Sequence, residues 1–105
     1  MVKLIALYTT PSEPDDFDRH FNAVHLPLLR AYPELRRLEL TRIDGAPLGQ
    51  ARYRVMVELY FDDRASMDRA LASPEGRAVT RDLMSFAAPL VTVFSGTVNS
   101  EPGAS

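Results

Sequence analysis

The apolar positions of this chain switch repeatedly between the spacing of a strand and that of a helix. Val2 to Thr9 is rich in Val, Leu and Ile and apolar on both alternating sets apart from Lys3. That pattern predicts a strand buried on both faces, in the middle of a sheet. Thr10-Pro11-Ser12-Glu13-Pro14 reads as a turn; Ser12 and Asp15 have the spacing of a capping box, and Pro14 suits a first helical turn. At about 100° per residue, Phe17, Phe21, Val24, Leu28 and Tyr32 fall on one stripe, which predicts an amphipathic helix ending near Tyr32-Pro33. Glu34 to Asp44 predicts a second strand, and Asp44-Gly45, Pro47 and Gly49 mark a hairpin connection of roughly seven residues. Arg52 to Phe61 is the clearest strand, with Tyr53, Val55, Val57, Leu59 and Phe61 as its apolar set and Arg54, Met56, Glu58 and Tyr60 as a mixed one. Asp62-Asp63 opens a helical region, Ser73-Pro74-Glu75-Gly76 breaks it, and a second piece runs through Val79, Leu83 and Phe86 to a stop at Pro89. Leu90 to Val98 predicts the last strand, and residues 99–105 a flexible tail.

The predicted order is β-α-β-β-α-β within one domain over residues 1–98. Its simplest packing is a four-stranded antiparallel sheet with both helices on one face, the ferredoxin-like α+β arrangement. Central strands that are apolar on both sides leave one face uncovered. A second copy of the sheet is the simplest cover, so a homodimer through the sheet face is expected.

Composition removes several classes of function. An apolar fraction of 46% with 25% charged residues is ordinary for a soluble globular chain. A net charge of −2 gives no electrostatic footprint for nucleic acid or an anionic membrane. The lack of cysteine excludes disulfides, thiolate nucleophiles and cysteine-ligated metal or iron–sulfur sites. The opening apolar run is short, carries Lys3 and has no small-residue cleavage site, so it reads as a strand and the cytoplasm is the expected compartment.

Candidate chemistry centres on the first helix. His25 lies about 60° from the centre of the stripe, beside Phe21, Leu28 and Tyr32, and His20 about 80° off on the opposite side. Their separation of about 140° argues against a joint metal site in one subunit. His20 is expected at the solvent boundary, paired with Asp16. Pro27 cannot donate to the carbonyl of Ala23, so a kink or break is expected, with a carbonyl freed within reach of His25. A semi-buried imidazole suits a general acid or base; the alternative is a structural histidine bonded to the freed carbonyl. Glu58 would act as an acid or orient His25 if unpaired, and otherwise would form a salt bridge to an arginine across the sheet or the dimer interface. Tyr8 and Tyr60 offer hydroxyls to an oxyanion, or else pack in the core with the hydroxyl on a backbone group. Glu58 and Tyr60 share an alternating set and therefore face the same way. Arg36, Arg37, Arg42, Arg52 and Arg54 read as a solvated or interfacial face before an anion-binding patch. Ser73, Ser85 and Ser95 lack histidine–carboxylate partners at a recognisable spacing, so nucleophilic hydrolysis is not indicated.

Several of these elements together carry a resemblance. Tyr8, Phe17-Asp18-Arg19-His20-Phe21, His25-Leu26-Pro27-Leu28 and Pro33-Glu34-Leu35-Arg36-Arg37 resemble the N-terminal half of the EthD-like proteins. Glu58-Leu59-Tyr60-Phe61-Asp62, Ala70-Leu71-Ala72-Ser73-Pro74-Glu75-Gly76 and Phe86-Ala87 resemble the C-terminal half, so the likeness runs from about residue 2 to about residue 98. The resemblance implies a dimeric α+β barrel, with a pocket between sheet and helices into which the histidine matching His25 points. The family is named for a protein tied to bacterial degradation of ethyl tert-butyl ether, and its members are often labelled reductases. This chain carries no Gly-rich dinucleotide fingerprint and no redox cysteine, so no cofactor is expected. Relatives in the wider barrel fold include cofactor-free monooxygenases, lactone isomerases and polyketide cyclases, whose activities do not transfer by fold alone. The expectation is a homodimer that binds a small, mostly apolar oxygenated metabolite between the first helix and the sheet. His25 would run cofactor-free acid–base or redox-type chemistry of an oxidoreductase, isomerase or cyclase, with Tyr8, Phe21, Tyr32, Glu58 and Tyr60 binding the substrate. The alternative is a non-catalytic small-molecule carrier or accessory subunit of a catabolic pathway.

Overall fold

The computed structural model describes residues 1–103; of the predicted tail, residues 104 and 105 lie outside the described residues. Strand β1 (Val2–Thr9) leads into helix α1 (Pro14–His20), a π-helical turn (Phe21–His25) and helix α2 (Leu26–Arg30). Strands β2 (Arg37–Arg42) and β3 (Tyr53–Phe61) follow, then helices α3 (Arg64–Ala72) and α4 (Pro74–Phe86), and strand β4 (Val91–Thr97). The strands form one four-stranded antiparallel sheet in the order β2-β3-β1-β4, the ferredoxin-like arrangement. No helix among the described residues is long and apolar enough to cross a membrane.

Register decides which side chains meet the helices. Leu4 pairs with Leu59, Ala6 with Val57 and Val93, and Tyr8 with Val55 and Val91. These residues share one face, because side chains alternate along each strand. Leu4, Tyr8, Val55, Val57, Leu59 and Phe61 form a core with Phe17, Phe21 and Leu29 of the first helical run, with Tyr32 just past its end, and with Met67, Ala70, Val79 and Leu83 of the second. The other set, including Lys3, Ile5, Leu7, Met56, Glu58, Tyr60 and Phe94, lies on the face that no helix covers.

Four helix ends are set by local chemistry. Pro14 occupies the first turn of α1 as expected, but Glu13 precedes it without a capping side chain, so the predicted Ser12–Asp15 box does not form. Asp63 and Ser66 form such a box at α3 instead: the Asp63 carboxylate accepts from the Ser66 N–H at 2.8 Å, and the Ser66 hydroxyl accepts from the Asp63 N–H at 3.2 Å. Ser73 closes α3 and opens α4, donating to the Ala70 carbonyl at 2.6 Å and accepting from the Gly76 N–H at 3.0 Å. Gly76 is obligatory at this corner, since a Cβ there would lie 2.2 Å from the Ala70 oxygen and 2.7 Å from that of Leu71.

Two predicted spans shift. Strand β2 begins at Arg37 and not at Glu34, because Glu34 takes a left-handed backbone (φ 61°) and holds Arg69 of α3 by a two-pronged ion pair. The kink expected at Pro27 appears one turn earlier, as the π turn. Its closing bond runs from the Leu26 N–H to the Phe21 carbonyl, five residues back. The wider turn sits just ahead of Pro27, whose ring would otherwise crowd the Ala23 carbonyl. This one extra residue in the turn moves the buried stripe: Phe17 and Phe21 are buried as predicted, but His25 and Leu29 follow in place of Val24 and Leu28. Val24 is 42% exposed.

Candidate functional site

The shifted stripe turns His25 fully inward, against the β1 side chains. Its Nε2 lies 3.1 Å from the Tyr8 hydroxyl and its Nδ1 lies 2.9 Å from Oδ2 of Asp82 on α4. The other oxygen of Asp82 lies 2.8 Å from Nε2 of His20. An i→i+5 turn brings the residue five positions on nearly back over the first, which is why one carboxylate meets both histidines. The angle of about 140° expected for a regular helix does not hold here. The expected partners also change. Asp16 pairs with Arg19 and not with His20, and His25 bonds Asp82 and Tyr8 and not a freed carbonyl.

Proton positions follow from the partners. A carboxylate accepts and does not donate, so Nδ1 of His25 carries the hydrogen and Nε2 is left to accept from the Tyr8 O–H. Burial holds His25 below the ordinary imidazole value, while its hydrogen bond to Asp82 opposes that shift and a nearby His20 charge adds to it. Burial likewise raises the Tyr8 phenol, and pushes that of Tyr32 up to about 12. Both phenols are therefore donors at neutral pH. Aromatic packing fixes the constellation: the Tyr8 ring meets Phe17 and Phe21 edge-on at 5.7 and 5.6 Å, and Phe86 lies 4.9 Å from the His25 ring and 4.4 Å from that of His20.

Tyr8, His25 and Tyr32 wall a chamber of about 240 Å³ between the sheet and the helices. The rest of the wall is almost wholly apolar, with Leu4, Ala6, Leu29, Val57, Leu59 and Leu83 inside. Leu71, Thr80, Met84 and Val93 are more exposed and form its rim. No lysine or arginine among the described residues lines it. Among the described residues no group of three or more His, Asp or Glu side chains is placed to hold a metal ion. On the outer side of His20 a separate open groove, about 420 Å³, is lined by Pro11, Glu13, Asp16, Phe86 and Leu90 among others.

The structure thus brings together four of the residues singled out in the sequence, and separates two. Tyr8, His25 and Tyr32 line the chamber, and Phe21 supports Tyr8 and His25 from behind, its ring 5.7 Å from that of His25. Glu58 and Tyr60 face together, as parity requires, but on the sheet face opposite to the chamber. There Glu58 pairs with Lys3 in place of an arginine, and Tyr60 donates to Glu39 at 2.7 Å beneath Arg37. Asp82 is the residue that sequence reasoning missed. Its signal was present: it stands three residues after Val79 and four before Phe86, so it edges the buried stripe of α4, where a carboxylate needs a partner.

A ferredoxin-like α+β domain with an apolar chamber closed at one end by a Tyr–His–Asp chain is the class that fold and site define. The chain belongs to the EthD domain family, whose model matches residues 10–90. It is 42% identical to an ethyl tert-butyl ether degradation (EthD) family protein from Bacillus halodurans C-125, whose crystal structure superposes with a TM-score of 0.91 over 94% of this chain and 99% of that one. It is 30% identical over 94 residues to an uncharacterized 11.0 kDa protein in the thcB-thcC intergenic region of Rhodococcus erythropolis, covering 90% of this chain and 91% of that protein. The fold alone is shared with SnoaB, a cofactor-independent oxygenase from Streptomyces nogalater, solved as a point mutant, at 18% identity and a TM-score of 0.68 over 95% of this chain and 94% of that one.

Proposed function

We propose that this chain works as a cytoplasmic homodimer that binds a small, uncharged, mostly apolar oxygenated molecule in the chamber, and that His25 moves a proton on it without a cofactor. The observation that carries this reading is the buried His25, held between Tyr8 and Asp82 on the wall of an otherwise apolar chamber. As the ligand's acidic proton reaches the Tyr8 oxygen, the Tyr8 hydroxyl proton passes to Nε2 of His25. No free phenolate is needed, which suits a phenol that burial makes harder to ionise. The resulting imidazolium is stabilised by the Asp82 carboxylate on Nδ1, and Tyr32, protonated, can donate to the oxygen where the ligand's charge collects. An enolate or phenolate made this way leads to isomerisation, cyclisation or reaction with dioxygen. SnoaB, a cofactor-independent oxygenase on the same fold, is consistent with such chemistry.

The dimer reading rests on the uncovered sheet face, where Ile5, Leu7 and Met56 are half-buried and Phe94 is 44% exposed. Apolar side chains on two adjacent central strands and an edge strand need a cover, and a second copy of this face supplies one.

Saturation of both His25 nitrogens by internal partners favours a second reading, a non-catalytic carrier. A panel of phenols, enones and lactones separates the two. Turnover by the wild type that disappears in His25→Ala supports proton transfer. Binding that persists in His25→Ala, with no turnover by either protein, supports the carrier. Absence of binding across the panel, with His25→Ala only lowering Tm, defeats both and makes His25 structural.

A further inference from the structure

Asp82 is shared between a histidine that faces the chamber and one that faces the groove, and the proposed reaction uses only the first. The His20 side chain is about one-third exposed, whereas that of His25 has no exposed surface and that of Asp82 very little. Each imidazole holds its own carboxylate oxygen, at 2.8 and 2.9 Å. A single negative charge therefore stands between two groups that can each become positive, and only one of them meets solvent directly.

We infer that His20 is a positioning residue for His25: by bonding one oxygen of Asp82 it fixes the other on Nδ1, and by taking a proton from the groove it engages the negative charge that a protonated His25 needs. This rests on the reading of His25 as the proton-moving group, and adds to it the residue that sets when His25 can do so. When His20 is neutral, Asp82 is free to stabilise the His25 imidazolium. When His20 is protonated, the carboxylate is already matched, and a second cation on it would be buried without a counter-charge. Of the two rings only that of His20 opens to the groove, so a proton arriving from solvent meets it there. A proton taken up from the groove then disarms the chamber from outside, through the shared carboxylate.

The groups facing His20 are few. Asp82 approaches from α4, with Arg81 next to it in sequence, and His25 from the π turn. Glu13 and Asp16 share the groove, and Asp16 is held by Arg19. The segment before β4 contributes only Pro89 and Leu90, which are uncharged. Asp82 is the one acid among the described residues in hydrogen-bond contact with both rings.

The test is a pH titration of the imidazole resonances of the ligand-free protein, which has only these two histidines. In the wild type the His25 signals should move in two steps, one coinciding with the titration of His20. In His20→Gln, whose amide N–H can still donate to Asp82, the His20-linked step should vanish and the remaining His25 midpoint should rise. In Asp82→Asn the His20 titration should no longer register at His25. His20→Gln should restore most of the His25 Nδ1 hydrogen-bond signature that His20→Phe loses. Wild-type His25 signals that stay flat through the His20 step overturn the inference without any variant, as does a His20→Gln titration of His25 superimposable on the wild type. Because no ligand is present, this result is independent of whether any compound is turned over. A failed turnover screen defeats the catalytic reading alone.

Discussion

Removing the Tyr8 hydroxyl tests the buried chain at its inner end. Tyr8→Phe deletes one oxygen and keeps the ring, so the edge contacts with Phe17 and Phe21 survive. What changes is Nε2 of His25, a buried acceptor whose donor at 3.1 Å is gone. Leaving a buried polar atom unpaired costs about 1–3 kcal/mol, partly offset because a buried phenol no longer has to be desolvated. A water entering from the chamber can also serve Nε2, which holds the cost to the lower half of that range. The expected loss is about 1–2 kcal/mol, or roughly 0.5–1 M in the urea midpoint for an m-value of about 2 kcal/mol/M. The sharper measurement is a double-mutant cycle with His25→Leu. In that background the Tyr8 hydroxyl has itself lost its partner, so Tyr8→Phe should be neutral or stabilising. An equal cost in both backgrounds would refute the argument, since the hydroxyl's contribution would then come from elsewhere.

Other substitutions probe the frame around the site. Gly76→Ala places a methyl 2.2 Å from a backbone oxygen and should cost about 3 kcal/mol, read as a fall of about 10 °C or more in Tm. Asp63→Ala removes the capping box of α3 and should cost about 1 kcal/mol by urea denaturation, with the chamber intact. Ala6→Leu projects a larger side chain into the chamber from the central strand and should abolish ligand binding in an NMR titration while Tm stays level or rises. Acid should destabilise the fold through His25. Its folded value lies below the ordinary 6.5, so the unfolded chain binds the extra proton. Stability is complete above about pH 6.5 and falls as pH drops from there towards the folded value, a slope that His25→Phe should reduce.

The strands were legible because a period of two needs only a few residues to show itself. Tyr53, Val55, Val57, Leu59 and Phe61 alternate cleanly, and strand β3 covers just that run. Parity also kept Glu58 and Tyr60 together. It could not say which face meets the helices, because β1 is apolar on both sides, and only the register with β3 and the packing of the helices assign the pair to the uncovered face.

The site was less legible than the fold, for a reason that lies in one turn. A helical projection assumes a constant angle per residue, and a single π turn breaks that assumption for everything beyond it. Up to Phe21 the projection holds; past it, the residue predicted inward is Val24 and the residue found inward is His25. The apolar pattern accommodates either register, since Val24 and Leu28 suit a buried stripe better than a histidine does. The cost of burying an imidazole in place of valine is met only because Asp82 and Tyr8 stand opposite its two nitrogens. Neither partner is local to the helix, one lying 57 positions away and the other 17. A polar residue beside a stripe therefore reads as peripheral until its distant partners are known. The local clue is the combination His20, His25 and Pro27: two histidines five apart, the second followed two residues later by a proline that no regular turn accommodates without strain. Read as a widened turn, that spacing aims both rings the same way, and a carboxylate on the buried edge of α4 becomes the partner to look for.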